Sequence, residues 1–515
     1  MRILATGASG YIGGRLVAEL LDAGHSVRAC SRNPDGLARF AWYDRVETAR
    51  VDLDDPSTLP AAVEGMDVIY YLVHSMGSGD SRFEDNERSS AEHLADAAAA
   101  AAVRRIVYLS GMHPQVDDLS ELSQHMRSRE RVARILLDGE VPAVVFRAAT
   151  IIGSGSASFE IIRHLTERLP VMTAPQWINN HIEPLSVRDV LYYLTEAADT
   201  PALEGVNDAF DVGCGSVYRF SDLLRIYGRL RGLRRLIIAL PIPLPMDQLS
   251  GRWISFVTPV PRSLAVPLAQ SMAEDAVTTD GHRIAEIIPD PPGGLADYKT
   301  AVRRALRREE DGNVPTSWDT SWQEQVSHRQ VSDELPTDPD WAGQTVYSDS
   351  RVAYTDARVE DVWRIIESIG GHNGWYSTAL LWNIRGIMDR LVGGPGLGGR
   401  RDPWRLAVGD RVDWWRVERI KRPNVLVLRA EMKVSGRAWL VMRVDTVDSD
   451  GTAHTADSGQ PAGMTRYRQD AVFLPRGLKG RAYWWMVAPF HGAIFPLMKR
   501  NILAAASQTP EPGGK

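Results

Sequence analysis

Residues 1–16, MRILATGASGYIGGRL, decide the fold of the first part of this chain. A short apolar run at residues 3–5 leads into a glycine-rich turn, after which leucines recur at the spacing of one buried helix face. In a strand–turn–helix unit of this kind, Gly7 lets the chain turn sharply off the strand, Gly10 lets the backbone approach a pyrophosphate, and Gly13 lets the helix pack closely. The pattern predicts a dinucleotide-binding turn; the alternative is a glycine-rich turn that binds nothing.

The start of the predicted helix gives an electrostatic reason for the same prediction. Its first N–H groups have no partner within the helix and lie at the positive end of the helix dipole, so they attract phosphate oxygens. Ser9, Tyr11 and Ile12 belong to this turn, and we expect them to contact the dinucleotide together with the three glycines.

The composition argues against several classes of protein. A chain of 515 residues suggests about two to four domains. The net charge of −6 and a pI near 6.1 argue against a nucleic-acid-binding protein. Two cysteines, Cys30 and Cys214, cannot form a disulfide framework, which fits a reducing cytoplasm. Because residue 1 opens a predicted core strand, we expect no signal peptide.

The longest apolar run, LIIALPIPLPM at residues 236–246, is too short for a membrane span and is broken by three prolines, Pro241, Pro243 and Pro245. It predicts apolar surface on the substrate side, and peripheral contact with a membrane stays open. Residues 241–267 suggest either a lid over the substrate or a proline-rich connector. No H-E-x-x-H motif or Cys/His cluster occurs, so we expect no metal site.

The end of the second predicted strand, residues 25–31, indicates which dinucleotide is preferred. Folds that prefer NAD usually place an acidic residue there to take the ribose hydroxyls. Here the chain has Ser31 and Arg32, and a guanidinium can pair with a 2′-phosphate that a carboxylate would repel. The sequence therefore predicts NADP rather than NAD; the alternative is that Arg32 is a solvated loop charge.

Further predicted strands alternate with helices, which is typical of a doubly wound parallel α/β sheet, the Rossmann arrangement. Asp52 and Leu53 follow the third strand, where they can flank an adenine. The fourth, at residues 68–73, is apolar throughout and runs into His74, at the sheet rim where ligands bind. Residues 105–110 and 141–146 are predicted to form the next two strands.

These residues resemble the short-chain dehydrogenase/reductase superfamily, and more narrowly its atypical, NmrA-like branch, over about residues 1–300. The matching motifs are TGASGYIG at 6–13, RNP at 32–34, YLVHSM at 71–76, YLSGM at 108–112 and RAATIIGSGSASFE at 147–160. The resemblance implies a serine at the end of one strand and a Tyr-x-x-x-Lys pair on the next helix, which exchange the proton and hold the ribose.

The chain departs from that pattern at the predicted helix 121–137. Ser110 matches the serine, but the helix carries His125 and Arg129, four residues apart on one face, in place of tyrosine and lysine. His125 can act as a general acid or base near neutral pH, and Arg129 can hold a ribose or phosphate. The alternative is that both residues only contact the cofactor. The residues predicted to contact the dinucleotide are Gly7, Ser9, Gly10, Tyr11, Ile12, Gly13, Ser31, Arg32, Asp52, Leu53, Val73, His74, Arg129 and Ala148.

The carboxyl third changes in character from about residue 344. We expect a first domain at 1–306, a polar linker at 307–343 that wraps the surface, a second domain at 344–506, and a disordered tail at 507–515. The linker contains Trp318, Trp322 and Trp341, which we expect to fix it to one of the domains.

The second domain shows a strand, helices, several strands of alternating character and a long final helix, an order that predicts an α+β helix-grip fold. It resembles a poorly characterised domain family that often follows NmrA-like domains and, more distantly, the START-like (SRPBCC) superfamily, which implies an apolar ligand cavity. Candidate ligand-facing residues are Trp414, Trp415, Glu431, Trp439, Trp484 and His491; the alternative is that most of these aromatic residues are plain core.

The sequence thus predicts an NADP-dependent oxidoreductase acting on a hydrophobic carbonyl or enone, with Ser110 and His125 polarising the acceptor and Arg129 holding the ribose. The competing hypothesis is a regulatory protein that binds the dinucleotide without turnover, as NmrA-like proteins can. The oligomeric state stays open.

Overall fold

The computed structural model describes residues 1–73, 83–240, 253–310, 338, 343, 345–377, 400, 402, 404–432, 434–447, 453–454 and 464–508. They fall into two compact units, residues 1–343 and 344–515. Outside the described residues lie His74, the three linker tryptophans and residues 384–391, whose sequence predicts a helix.

The first unit contains thirteen strands and nine α-helices among its described residues. The strands are β1 (Arg2–Ala5), β2 (Ser26–Ser31), β3 (Glu47–Arg50), β4 (Val68–Tyr71), β5 (Arg105–Gly111), β6 (Ala143–Ala148), β7 (Ile151–Ile152), β8 (Val171–Pro175), β9 (His181–Ile182), β10 (Leu185–Ser186), β11 (Asp208–Val212), β12 (Tyr218–Arg219) and β13 (Leu236–Leu240). The helices are α1 (Tyr11–Asp22), α2 (Leu59–Val63), α3 (Phe83–Ala100), α4 (Gln124–Leu137), α5 (Ala157–Arg168), α6 (Val187–Glu196), α7 (Phe220–Leu230), α8 (Arg262–Ser271) and α9 (Tyr298–Glu310).

Seven of these strands form one parallel sheet in the order β11-β6-β5-β4-β1-β2-β3. Successive side chains of β1 point to opposite faces, so Ile3 and Ala5 join a core with α1 and α6, whereas Leu4 joins a second core with α3 and α4. A sheet covered on both faces explains why its strands are apolar without alternation. The predicted doubly wound parallel sheet is confirmed.

The strand order reverses between β1 and β4. From β1 the chain winds outward through β2 and β3, and from β4 it winds the other way through β5 and β6. At such a switch point the loops after neighbouring strands diverge and leave a crevice at their carboxyl ends, where open α/β sheets bind ligands.

A third core packs α5, α7, α8 and α9 together beside the sheet. The predicted lid region enters it through α8, which contains Pro267, while residues 241–252 lie outside the described residues. The apolar run begins as β13, in which Leu236 and Ile238 are exposed. No helix in the described part of the chain is long and apolar enough to cross a bilayer.

The predicted linker is held in the first unit at one described position. Asp338 pairs with both terminal nitrogens of Arg15, at 2.7 and 2.8 Å, and both side chains are buried. At this residue the segment is therefore buried and does not wrap the surface. Arg15 makes the burial possible, because a buried carboxylate is stable only beside a charged partner.

The second unit is an antiparallel sheet with two helices among its described residues, and the strand order is β14-β20-β18-β17-β16-β15 with β19 on β18. Its elements are β14 (Tyr347–Thr355), α10 (Val359–Glu367), β15 (Arg411–Val412), β16 (Trp415–Lys421), β17 (Val425–Ala430), β18 (Gly436–Val447), β19 (Ala453–His454), β20 (Met464–Pro475) and α11 (Gly477–Ser507). The helix-grip identity of this unit stays a prediction.

Residues 410–420, DRVDWWRVERI, alternate in the sequence as a single strand would, and that prediction is wrong. The structure has two strands here, β15 and β16, separated by a turn at Asp413, which has a φ of 57°. The Asp413 carboxylate accepts hydrogen bonds from Trp375 Nε1 at 2.8 Å and from the Gly371 amide at 3.2 Å. These partners come from elsewhere in the chain, so the alternating sequence pattern gave no sign of the turn.

Candidate functional site

Two glycines of the first turn sit where no other residue fits without a shift. Gly7 has a φ of +68°, and a Cβ there would lie 2.6 Å from the Leu72 carbonyl oxygen. A Cβ on Gly13 would lie 2.2 Å from the Gly7 carbonyl oxygen. The first contact keeps the turn against the end of β4 and the second keeps α1 against the turn, as the sequence predicts. We call Gly7–Gly13 the cradle.

Helix α1 begins at the cradle without a side-chain cap. Gly10 is its N-cap residue and provides no side chain to accept from the first-turn amides. Tyr11 stacks under Arg15, whose guanidinium carbon lies 4.1 Å from the ring centroid, and its buried hydroxyl has no hydrogen-bond partner among the described residues. The cradle therefore offers unpaired donors at the positive end of a helix, which is the chemistry a diphosphate requires.

A pocket of about 430 Å³ in the first unit runs along the carboxyl ends of the strands. Its wall includes four cradle residues, Gly10, Tyr11, Ile12 and Gly13. Val73 and Ala148, predicted cofactor contacts from the ends of β4 and β6, also lie in the wall. A volume of this size is typical of small-molecule sites.

Ser110, His125 and Arg129 lie in the wall of the same pocket, and we call them the side-chain wall. Ser110 is the penultimate residue of β5 and is 2% exposed; its Oγ makes no hydrogen bond of normal geometry with any described residue, although it interacts with the Tyr108 hydroxyl. His125 lies in the first turn of α4 and is 6% exposed. Arg129, one turn further, donates from a terminal nitrogen to the Leu109 carbonyl at 3.2 Å, while its Nε is buried with no described partner.

Tyr108 is a further candidate for the role of the missing catalytic tyrosine. The sequence gave no sign of it, because it stands on β5 and not on α4. It lines the pocket and is buried. Burial raises the pKa of Tyr108 to about 12, although the positive charge of Arg129 lowers it. A phenol with so high a pKa is a poor proton donor near neutral pH, so Tyr108 is no direct replacement for the missing tyrosine.

A buried ion-pair network fixes the helix that carries His125 and Arg129. Glu130 on α4 bonds His113 at 3.1 Å, Arg147 at 2.9 Å and Arg134 at 3.1 Å. Burial alone would raise the pKa of Glu130, but the hydrogen bond from His113 and the charge of Arg147 bring it down to about 2. Only the spacing of Glu130 and Arg134 was visible in the sequence, because the other partners come from distant segments.

The predicted contacts for the adenosine half do not line this pocket. Arg32 is exposed after β2, and Ser31 Oγ accepts from the Asn33 amide at 3.2 Å. Ser9 is exposed, and its carbonyl accepts from Arg39 at 3.3 Å. Arg39 thus brings a second guanidinium to the cradle, which sequence reasoning missed because its position depends on the chain folding back after β2.

Asp52 and Leu53 differ in their surroundings. Asp52 is half-buried, and one of its carboxylate oxygens accepts from the Asp54 amide at 3.3 Å. Leu53 packs its side chain into the core beside α2 and α3, and its carbonyl lies 3.0 Å from His93 Nδ1. The Leu53 side chain is packed in the core, so only the Asp52 side chain can contact a ligand.

Most of the candidate ligand-facing residues of the second unit pack in its core or contact other protein groups. Trp414 is 1% exposed and, like Trp415, belongs to the core; Glu431 pairs with Arg416. Trp439 Nε1 donates to Glu418 at 2.7 Å, and the rings of Trp484 and His491 meet edge to face at 5.1 Å. These contacts favour the alternative interpretation, in which the aromatic residues are core.

Two family models match the chain in separate parts. Residues 7–140 match a family described as NAD(P)H-binding. Residues 341–498 match a family described as a protein of unknown function, DUF2867. The START-like interpretation of the second unit finds no support in these matches.

Curated relatives align with parts of the first unit. A 3 beta-hydroxysteroid dehydrogenase/Delta 5-->4-isomerase of Mycobacterium tuberculosis is 36% identical over 118 residues, which is 21% of this chain and 31% of that protein. A (4-alkanoyl-5-oxo-2,5-dihydrofuran-3-yl)methyl phosphate reductase of Streptomyces griseus is 31% identical over 176 residues, 33% of this chain and 57% of that protein. The chain therefore spans less than two thirds of the length of these relatives.

Among solved structures, the triphenylmethane reductase of Citrobacter sp. complexed with NADP(H) aligns with a TM-score of 0.46 at 16% identity, covering 59% of this chain and all of that one. The amino-terminal part of this chain combines a Rossmann-type parallel sheet with a match, over residues 7–140, to a family described as NAD(P)H-binding.

Proposed function

We propose that this protein is an NAD(P)-dependent oxidoreductase that prefers NADP and acts on a hydrophobic carbonyl or enone. The observation that carries the proposal is the meeting of the cradle and the side-chain wall in one pocket of about 430 Å³. The uncapped start of α1 would hold the diphosphate, and two buried groups without a hydrogen bond of normal geometry to described residues, Ser110 Oγ and Arg129 Nε, are available to a ligand.

The residues of the side-chain wall would orient the acceptor and hold the ribose. Ser110 Oγ and His125 polarise the acceptor by donating hydrogen bonds to its oxygen. Arg129 holds the ribose as a permanent cation and keeps the local field positive. A reduced dinucleotide, when bound, supplies the hydride.

The preference for NADP rests on two guanidinium groups. Arg32 is exposed at the end of β2, and Arg39 reaches back to the Ser9 carbonyl of the cradle. Guanidinium groups bind phosphate through paired hydrogen bonds, so both are suited to a 2′-phosphate.

The apolar residues of the pocket wall support an apolar substrate. Ile182, Phe220, Leu264, Leu268 and Met272 line the same pocket as the side-chain wall. Such a surface binds apolar ligands by excluding water and leaves orientation to a few polar groups.

The two cysteines are not candidates for the chemistry, and they fit the proposed cytoplasmic location. Cys30 and Cys214 are both free and buried. Burial raises the pKa of Cys30 to about 12 and that of Cys214 to about 11, so neither is a reactive thiolate at neutral pH.

Calorimetry and turnover test the proposal together. We expect the purified protein to bind NADPH more tightly than NADH, and to oxidise NADPH in the presence of benzaldehyde, cyclohexenone or naphthoquinone. Absence of any binding heat with NADPH, NADP⁺, NADH and NAD⁺ would exclude a dinucleotide-dependent function.

A dinucleotide-binding regulator without turnover is the second candidate. The absence of Tyr-x-x-x-Lys from α4, which the structure describes in full, favours it. Tight NADPH binding without NADPH oxidation by any of the three carbonyl compounds would support this candidate over the oxidoreductase.

A further inference from the structure

Glu274 is a carboxyl group in the pocket wall that belongs to no recognised motif. It lies three residues after α8, and a short bridge to β9 fixes the backbone there. The Ala276 amide donates to the His181 carbonyl at 2.9 Å, and the Ala276 carbonyl accepts from the Glu183 amide at 2.8 Å. The position of Glu274 in the pocket wall is therefore set by the backbone.

The two oxygens of this carboxyl have different surroundings. Oε1 accepts from the Ser123 amide at 2.6 Å, and Ser123 is the N-cap residue of α4, the helix of His125 and Arg129. Oε2 is shielded from solvent and has no hydrogen-bond partner in the described part of the chain. Since Oε1 is engaged as an acceptor, the proton of the neutral acid belongs on Oε2, which then lacks an acceptor.

The surroundings favour the neutral acid. Ile182, Leu268 and Met272 lie in the same pocket wall and are apolar. Burial raises the pKa of Glu274, while the Ser123 amide, the Ser123 hydroxyl and the charge of His113 act against that rise. The titratable or charged residues that line the pocket with it are Tyr11, Tyr108, His125, Arg129 and His181, and His113 and the neighbouring Asp275 lie close to them.

We propose that Glu274 is a substrate-facing acid, whose Oε2–H donates a hydrogen bond and then a proton to the carbonyl oxygen of an apolar substrate. This inference rests on the proposed oxidoreductase function. It adds Glu274 as a proton donor to the residues of the side-chain wall, and it places the carbonyl oxygen of the substrate near the start of α4.

The reaction balances with the dinucleotide as reductant. The carbonyl carbon gains a hydride from the reduced dinucleotide, the π electron pair passes to oxygen, and that oxygen takes the proton from Oε2. The products are an alcohol, the oxidised dinucleotide and the Glu274 carboxylate, which regains a proton from water.

Infrared spectroscopy tests the state of the carboxyl without turnover. We expect a protonated-carboxyl band that disappears in Glu274→Gln and stays in Glu121→Gln, an exposed glutamate ahead of α4. Its titration midpoint should lie above the usual value for glutamic acid, about 4.3. With NADP⁺ present, cyclohexenone should shift the band, because its oxygen accepts from Oε2. A midpoint at or below the usual value, or no shift with cyclohexenone, would overturn the proposal.

Turnover separates proton transfer from binding. Glutamine keeps an acceptor for the Ser123 amide and a donor for the substrate but has no acidic proton, so Glu274→Gln should lower kcat about 10²-fold with little change in KM. Glu274→Leu should raise KM as well, and Glu274→Asp should retain part of kcat. A Glu274→Gln enzyme with wild-type kcat and pH profile contradicts the proposal, and circular dichroism checks that each variant is folded.

Failure of this inference is distinguishable from failure of the proposed function. If the wild type binds no dinucleotide, the oxidoreductase function fails, and with it the proton transfer from Glu274. If the wild type oxidises NADPH and Glu274→Gln does so equally well, only the role of Glu274 fails. We expect NADPH affinity to be the same in wild type and Glu274→Gln, because Glu274 lies outside the cradle.

Discussion

The two sides of the pocket in the first unit are built in different ways. The cradle is one continuous stretch, Gly7–Gly13, that offers backbone amides and has no room for Cβ atoms at its ends. The side-chain wall combines Ser110 from β5 with His125 and Arg129 from α4. The cradle is local in sequence. The side chains of Ser110, His125 and Arg129 meet it only because the parallel sheet brings the carboxyl ends of β1 and β5 to one edge.

This difference shows which part of the pocket can change its residues and still bind a dinucleotide. A diphosphate is the same in every dinucleotide enzyme, and a turn with glycine at fixed positions suffices to bind it. The side-chain wall must suit a particular acceptor, and here His125 and Arg129 stand where the resemblance leads one to expect tyrosine and lysine. The cradle therefore identifies the cofactor class, and the wall determines the reaction.

The largest effect is expected on the side-chain wall. Replacing His125 by alanine should lower kcat for NADPH oxidation about 10³-fold, because the acceptor oxygen loses one of the two groups that polarise it. NADPH affinity should not change, since the cradle holds the diphosphate. His372→Ala, an exposed histidine of the second unit, is the control. Equal turnover in the two variants would leave His125 as a cofactor contact only.

The next effect is expected at the cradle. Gly13→Ala should weaken NADPH binding about 100-fold, because the added Cβ, 2.2 Å from the Gly7 carbonyl oxygen, moves α1 away from the turn. Gly36→Ala makes the same chemical change where the nearest atom is 3.8 Å away, and titration calorimetry compares the two. Unchanged affinity in Gly13→Ala would mean that the close packing of α1 does not matter for binding.

The ion-pair network of Glu130, which fixes the helix of His125 and Arg129, should lose its stabilising effect in acid. The pKa of Glu130 falls from 4.5 to about 2 on folding, so its contribution to stability is complete above about pH 4.5 and is lost as the pH falls toward 2. Glu130→Gln should remove about 2 kcal/mol at neutral pH, and the difference from wild type should shrink at low pH.

Urea unfolding at about pH 6 and about pH 3 measures this difference. The control is Glu140→Gln, an exposed glutamate in the loop after α4. If the free energy of unfolding of wild type and Glu130→Gln differs equally at both pH values, the carboxylate of Glu130 is not the source of the stabilisation.

The smallest effect concerns the choice between the two dinucleotides. Arg32→Ala should weaken NADPH binding about tenfold more than NADH binding, because only NADPH carries the 2′-phosphate. Arg39→Ala tests the second guanidinium in the same way, and Arg88→Ala, on the exposed surface of α3, is the control. Equal losses for NADPH and NADH would remove the proposed preference for NADP.

The sequence by itself determined the parallel sheet, the cradle and the start of α1. These depend on local properties: apolar runs of strand length, glycine where a Cβ has no room, and helix-spaced leucines. It also identified Ser110, His125 and Arg129 as candidates from their positions after a strand and along one helix face. In the second unit it predicted most of the strands from their alternation, and it failed at Asp413, where a turn is stabilised by Trp375 and Gly371.

Only the tertiary structure decided which groups share the pocket. Glu274 and Ser123 are 151 residues apart in the chain, and Arg147 lies 17 residues from Glu130. The burial of Leu53, Trp414 and Trp415 was likewise set by packing. A hydrogen bond between distant segments leaves no pattern in a single sequence, because each partner taken alone is a common polar residue whose role depends on what folds against it.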